Sequence, residues 1–342
     1  MNKKLLIGVS ISILVSITIF IPVYFTIIKD IRNGSGSIII WGDADLEAYG
    51  FPGEGLMDDP YLIQGLEIDT TQSRGISLYD ITVHVKIVDC VISAEETGIY
   101  AQNIGNGRLE VVNNVCNNMQ IGIYLKNVDY VYFIDNTCNN NSENGAVIEN
   151  SVQPFIRNNE FNWNKENGLK IINSNYADIF ANNLEENKNA GLFVYTSRNL
   201  EISNNTLNLN KYGIYSQGME MSDIWHNQIL QNQENGILFD FETFPIRNRD
   251  NFVHNNLFAN NTKHAIKILT GGGHTLHHNS FVDNNVDGSS QAADSSVYAS
   301  IWYEIVSSEG NFWSDWSGAG NYAIDGSAGA EDPYPLLINP WG

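Results

Sequence analysis

A glycine followed by an apolar residue recurs through the chain, at Gly75-Ile76, Gly98-Ile99, Gly122-Ile123, Gly145-Ala146, Gly168-Leu169, Gly191-Leu192, Gly213-Ile214 and Gly236-Ile237. Successive copies are 22 to 24 residues apart, and Ala265-Ile266 takes the same place after a step of 29. A unit this short cannot bury an apolar face by itself. It does so only by stacking on its neighbours, which makes a fixed period of this length the mark of a solenoid.

A second column fixes the register. Asn114, Asn136, Asn159, Asn182 (or Asn183), Asn205, Asn227 and Asn256 stand eight or nine residues before the glycine place, and Asn279 continues the series. Asparagine tolerates the left-handed backbone and bonds its own local backbone, so the column predicts a recurring tight turn. Three residues before each comes an apolar side chain: Val111, Phe133, Ile156, Ile179, Ile202, Ile224, Val253 and Leu276. After the glycines the apolar residues alternate, as in Ile123/Leu125, Leu169/Ile171 and Ile237/Phe239, and a period of two means strands. No sustained helical period follows the N-terminal apolar run. The pattern predicts an all-β fold, a right-handed parallel β-helix of about nine to ten coils, the hand following from the rule for parallel crossovers.

The chain carries 39 acids against 18 bases in 342 residues, a net charge of −21 that argues against a nucleic-acid surface. The three cysteines cannot all pair internally. Cys116 and Cys138 fall in the inward column that later holds Phe161, Leu207, Ile229, Phe258 and Phe281, where a small apolar side chain is expected. Cys90 lies on an earlier coil, slightly out of that column.

Residues 1–4 read as a cytoplasmic tail, and 5–28 form an uncharged run long enough to span a bilayer as a helix. Lys3 and Lys4 precede the run, which favours an inside N-terminus with the rest of the chain outside the cytoplasm. The alternative is a signal peptide cleaved near Ser35-Gly36-Ser37, giving a secreted protein. Residues 29–36 are a linker, 37–74 an N-terminal cap and first coil opening with a strand at Ile38–Trp41, 75–288 the coils, and 289–342 a C-terminal cap. Gly42-Asp43-Ala44-Asp45 reads as an acidic turn. The long step predicts an insertion over residues 241–249, whose Glu242, Pro245, Arg247 and Arg249 name no chemistry. Trp302, Tyr303, Phe312, Trp313, Trp316, Tyr322, Tyr334 and Trp341 crowd the last section, as a plug for the open end of the core would.

Register also places outward residues. Four positions before the ladder asparagine, Asp178, Glu201 and Asp223 stand on three successive coils, about 5 Å apart. Like charges opposed in a sheet repel, so the column suggests a bound cation or a raised carboxyl pKa, and calcium, which takes oxygen ligands, suits it. Two positions before the asparagine come Arg157, Trp225, His254 and His277. Carboxylates, an imidazole and a flat aromatic together can grip or cleave an acidic sugar chain. A second strip holds Tyr100, Tyr124, Phe193 and Tyr215, a stacking platform for sugar rings. His254 and His277 are the one histidine pair that register puts in a single column on adjacent coils, and imidazole pairs bind copper or zinc.

Gly310-Asn311-Phe312-Trp313-Ser314-Asp315-Trp316, followed by Asp332-Pro333-Tyr334-Pro335-Leu336, resembles the terminal signature of NosD-like β-helix proteins. Gly53-Glu54-Gly55 with Asp59-Pro60-Tyr61-Leu62-Ile63 is similar to the opening of surface β-helix families. The resemblance covers nearly everything after residue 37 and implies a parallel β-helix of the carbohydrate-binding and sugar-hydrolase type. Its namesake implies copper handling during metalloenzyme maturation. In this chain Gly320-Asn321-Tyr322-Ala323-Ile324-Asp325-Gly326 has fewer acids than the family's glycine-rich loop, which weakens a calcium site there. Three readings stand: a membrane-anchored protein binding or presenting a glycan outside the cytoplasm, which the sequence favours; a polysaccharide lyase or hydrolase; and copper handling.

Overall fold

The computed structural model describes residues 36–105, 109–240 and 247–342. It is a parallel β-solenoid of about ten turns. Three sheets run along it. An eleven-stranded sheet extends from Ile38–Trp41 to Ala292–Asp294, and a ten-stranded sheet from Tyr61–Gln64 to Thr275–His277. The third face begins as three strands, Glu67–Asp69 to Val115–Cys116, and ends as four, Gln228–Leu230 to Phe312–Trp313. Between them single bridges through Thr137, Glu160, Asn183 and Thr206 keep that face continuous. The span predicted over residues 5–28 and most of the predicted insertion lie outside the described residues. Among the described residues no helix is long and apolar enough to cross a membrane.

The glycine column exists for close approach rather than for an unusual φ. A Cβ on Gly145 would lie 2.6 Å from the Gly168 carbonyl oxygen and 2.9 Å from that of Cys138, and Gly122 meets the same obstacle 2.6 Å away at Gly145. A side chain at either position would force neighbouring coils apart.

The asparagine ladder does different work from the expected turn. The left-handed residue is the one before it: Asn113 (φ 52), Asp135 (φ 57), Asn158 (φ 57), Ala181 (φ 55), Asn204 (φ 56) and Asn255 (φ 53). The ladder asparagines themselves turn inward and are buried. Asn159 donates to Asn182 Oδ1 from both its backbone N (2.9 Å) and its Nδ2 (3.0 Å), and the pattern repeats from coil to coil. A second buried ladder, Asn141, Asn164, Asn187, Asn210, Asn232, Asn261 and Asn284, ends on Gln291. Cys90 occupies the first rung of the main ladder, its backbone N donating to Asn114 Oδ1 at 3.1 Å. All three cysteines are buried and unpaired.

The ends are closed by local devices. Residues expected to form an acidic turn instead start a six-residue helix, Asp43–Ala48, that buries Leu46 over the first coil. Asp43 and Asp45 hold it by accepting from the backbone N–H groups of Thr82 (2.8 Å) and Trp41 (2.7 Å). At the other end Trp302 and Trp313 are buried against Phe281, and Tyr322 stacks on Trp313 with ring centroids 4.0 Å apart. The main ladder passes to Asn311 and stops at Asp332, whose Oδ2 accepts from Asn311 N (2.8 Å) and Trp313 Nε1 (2.9 Å). A carboxylate ends the chain of amides because it accepts without needing a further acceptor.

Candidate functional site

The ten-stranded sheet presents successive three-residue strands, Phe155–Arg157, Asp178–Phe180, Glu201–Ser203, Asp223–Trp225, Phe252–His254 and Thr275–His277. The central residue of each is wholly buried, so the flanking residues belong to the opposite, outward face. Asp178, Glu201 and Asp223 pair in register as one outward column. Arg157, Phe180, Ser203, Trp225, His254 and His277 form the column beside it.

One member of the acid column is neutralised from the second column. Arg157 forms an ion pair with Asp178, and its guanidinium carbon lies 5.8 Å from the Phe155 ring and 5.6 Å from that of Phe180. His254 places Nε2 2.9 Å from Asp223 Oδ1. Glu201, exposed between them, has no ion pair with a described residue. The strip continues in flat rings at both ends. Tyr132 stacks on Phe155 at 5.0 Å, and Trp225, His254 and His277 stack in turn at 6.4 and 5.2 Å with planes 6° and 4° apart.

His254 and His277 stack face to face, with ring centroids 5.2 Å apart. Among the described residues, the convergent group of three is His277, His278 and Glu304, whose donor atoms lie within 4.8 Å of one another. His277 and His278 bring their Nδ1 atoms to 2.8 Å, and His278 Nε2 lies 2.9 Å from a Glu309 carboxylate oxygen. Burial, with the adjacent His254 and His278, pushes the His277 pKa down to about 4, so its ring is neutral and can offer a lone pair at pH 7. The Ser307 hydroxyl, 2.6 Å away, holds the Glu304 carboxyl below its usual range. Two imidazoles and a carboxylate are the donor set of a Cu(II) or Zn(II) site. Sequence reading reached His277 but not its partners. His278 sits at the left-handed corner (φ 53), and Glu304 comes from the non-periodic C-terminal section.

Tyr100, Tyr124, Phe193 and Tyr215 lie on the eleven-stranded sheet and do not join this strip. They form two separate edge-to-face pairs, Tyr100 with Tyr124 at 5.4 Å and Phe193 with Tyr215 at 5.3 Å. Their phenols are tied locally: Tyr124 to Glu149, and Tyr215 to Asp240 Oδ2 at 2.5 Å. Burial, reinforced by those carboxylates, raises both phenol pKa values.

The fold recurs among solved structures. A periplasmic alginate epimerase, AlgG, superposes with a TM-score of 0.50 at 13% identity, over 79% of this chain and 84% of its own. A double mutant of the same epimerase gives 0.51 at 13% identity, with coverages of 79% and 84%. An alginate lyase from Paenibacillus sp. str. FPU-7 gives 0.43 at 11% identity, with coverages of 78% and 98%. No curated protein matches the sequence. The sequence model of one family, described as periplasmic copper-binding protein (NosD), matches residues 58–243 and 186–318. Those two stretches run through most of the coils and into the aromatic cap, and the chain belongs to the NosD family.

Proposed function

We propose that this protein binds a glycan along the outward face of its ten-stranded sheet, outside the cytoplasm, and is held at a membrane by residues 5–28. The observation that carries the reading is the unbroken strip from Tyr132 through Arg157, Asp178, Glu201 and Asp223 to Trp225 and His254, on successive strands. Its rings offer flat apolar faces to sugar rings, and its carboxylates and guanidinium bond hydroxyls. The fold shared with an alginate epimerase supports a polysaccharide ligand. The full chain should pellet with membranes and, in detergent, bind oligosaccharides by calorimetry. Trp225→Ala should weaken that binding about tenfold or more. Full affinity in this variant would remove the strip from the reading. Scission of the oligosaccharide that disappears in an Asp178→Asn, Glu201→Gln, Asp223→Asn triple variant would make the protein a lyase or hydrolase instead.

A second reading is copper handling. The convergence of His277, His278 and Glu304 favours it, and so does the family's description. These three residues would hold the ion, and bound copper would supply the protein's cargo rather than a reaction step. Cu(II) titration should show one equivalent bound with an imidazole-nitrogen signature in its spin-resonance spectrum, lost in His277→Ala and in His278→Ala. An unchanged spectrum in both variants would place any copper elsewhere.

A further inference from the structure

At the corner where the eleven-stranded sheet turns toward the ten-stranded one, Asp80, Asn103, Asn127, Asn150 and Asn173 occupy one place in successive coils. All are left-handed, with φ of 54, 56, 53, 52 and 46. Side-chain amides link parts of this outer column: Asn103 Nδ2 donates to Asp80 Oδ1 (3.0 Å), Asn127 Nδ2 to Asn103 Oδ1 (2.7 Å) and Asn173 Nδ2 to Asn150 Oδ1 (3.2 Å). The next two places are Thr196 and Gly218, and there the column of amides stops.

Thr196 is the wrong residue for its backbone. Its φ is 47, and it is the one β-branched residue with a left-handed backbone among the described residues. A β-branched side chain at positive φ is strained, and strain kept at one place in an otherwise regular column points to function. Its Oγ1 is buried with no hydrogen-bond partner.

Where the side chains shrink from Asn to Thr to Gly, a cavity of about 410 Å³ opens, lined also by Arg198 and Glu220. One coil further on, a second cavity of about 230 Å³ is lined by Arg247, Arg249 and Tyr298. An ion pair between Arg249 Nε and Glu220 Oε1, at 3.1 Å, joins the two. Three of the five arginines among the described residues therefore line one groove, in a chain of net charge −21.

We propose that this corner groove binds a carboxylate-bearing sugar unit, a uronate residue of an acidic oligosaccharide. Arg198 meets the carboxylate, because a guanidinium matches its two oxygens. Asn173 and Thr196 bond ring hydroxyls. The Tyr298 ring, 67% exposed, offers a face for the next sugar. Glu220 and Asp250 also line the groove, and they favour a singly charged, hydroxyl-rich ligand over a phosphate. Carboxylates accept from hydroxyls but repel a dianion. Arg198 and Glu220 stand three residues before Glu201 and Asp223, so the groove runs beside the strip described above. The ligand class rests on the glycan reading, whereas the site does not.

The test is calorimetry of the full chain with uronate hexasaccharides and with neutral hexasaccharides. Thr196→Asn restores the outer column with a residue suited to positive φ, so its melting temperature should be unchanged or raised while the groove closes. It should weaken uronate binding about ten- to hundredfold and leave neutral binding intact, and Arg198→Gln should do the same. Uronate affinity within about twofold of wild type in both variants overturns the proposal. So does a wild type that binds no uronate oligosaccharide at about 10 mM. Loss in Trp225→Ala with full affinity in Thr196→Asn overturns the groove and keeps the strip. The reverse pattern keeps the groove and removes the strip.

Discussion

Asn182→Ala is expected to lower the unfolding free energy by about 4 kcal/mol, although it removes a single small polar side chain. Asn182 is 2% exposed and stands in the middle of the main ladder. Its Oδ1 accepts from Asn159 N (2.9 Å) and Asn159 Nδ2 (3.0 Å). Its Nδ2 donates to the carbonyls of Ile156 (2.8 Å) and Phe180 (3.1 Å) and to Asn205 Oδ1 (3.0 Å). Alanine leaves the Asn159 backbone N–H without an acceptor in a site too buried for bulk water, and leaves Asn159 Nδ2 with the Phe133 carbonyl alone (2.9 Å). Each unmade buried bond costs about 1–3 kcal/mol, and the acceptors lose a donor as well. Because each coil contacts only its neighbours, the damage should be local. Equilibrium urea denaturation measures the loss, and amide exchange should quicken in the coils around Asn159 and Asn205 before the ends. A loss below about 1 kcal/mol would mean that ordered water replaces the amide, and the ladder would then not be what holds the coils in register.

That ladder also shows where sequence reading succeeds and where it slips. The column was visible because its period is strict. Its role was misassigned because asparagine serves two adjacent places at once. In Asn113-Asn114, Asn158-Asn159, Asn204-Asn205 and Asn255-Asn256 the first residue takes the left-handed corner and the second forms the buried rung. Where the corner residue differs, as in Asp135-Asn136 or Ala181-Asn182, the rung stays Asn, which separates the two demands. The outward strip followed from register alone, since once the inward residues are fixed a period of two leaves no freedom for their neighbours. What register could not supply was Arg157 folding back onto Asp178, because that depends on a long side chain crossing between columns. Nor could it supply Glu304, which arrives from a section with no repeat. The corner groove was hidden for the opposite reason. It is made by what a column lacks at Thr196 and Gly218, and by arginines from an insertion that looked featureless as a string. The terminal signature from Gly310 to Trp316 is legible in both languages: Asn311 and Trp313 are the groups that Asp332 binds to end the ladder.

Acid should destabilise this protein in a window set by three histidines whose pKa burial lowers, His264, His274 and His277, and one of them can be isolated. His274 is wholly buried and stacks on Phe239 with centroids 4.6 Å apart. Its Nδ1 accepts from Asn251 N at 3.2 Å and faces Asn251 Nδ2 at 3.3 Å, continuing a rung that Ser222 and Asn251 occupy in earlier coils. Burial pushes its pKa from 6.5 down to about 4. His277 is pushed to about 4 as well, by a burial that is less complete. Between those values the unfolded chain takes up a proton that the folded chain refuses, so the contribution is full above pH 6.5 and is lost as pH falls toward 4. For His274 the loss amounts to about 3 kcal/mol, with a smaller one from His277. His274→Asn keeps an acceptor of the kind the rung already uses while removing the titrating group. Melting temperature against pH should therefore fall steeply below pH 6.5 in the wild type and roughly half as steeply in the variant. Superimposable profiles would mean that the His274 ring finds a way to carry its proton inside the fold. The added proton would then sit on Nδ1, since a ring that accepts there already carries its hydrogen on Nε2, and Asn251 would have to turn its donors away from it.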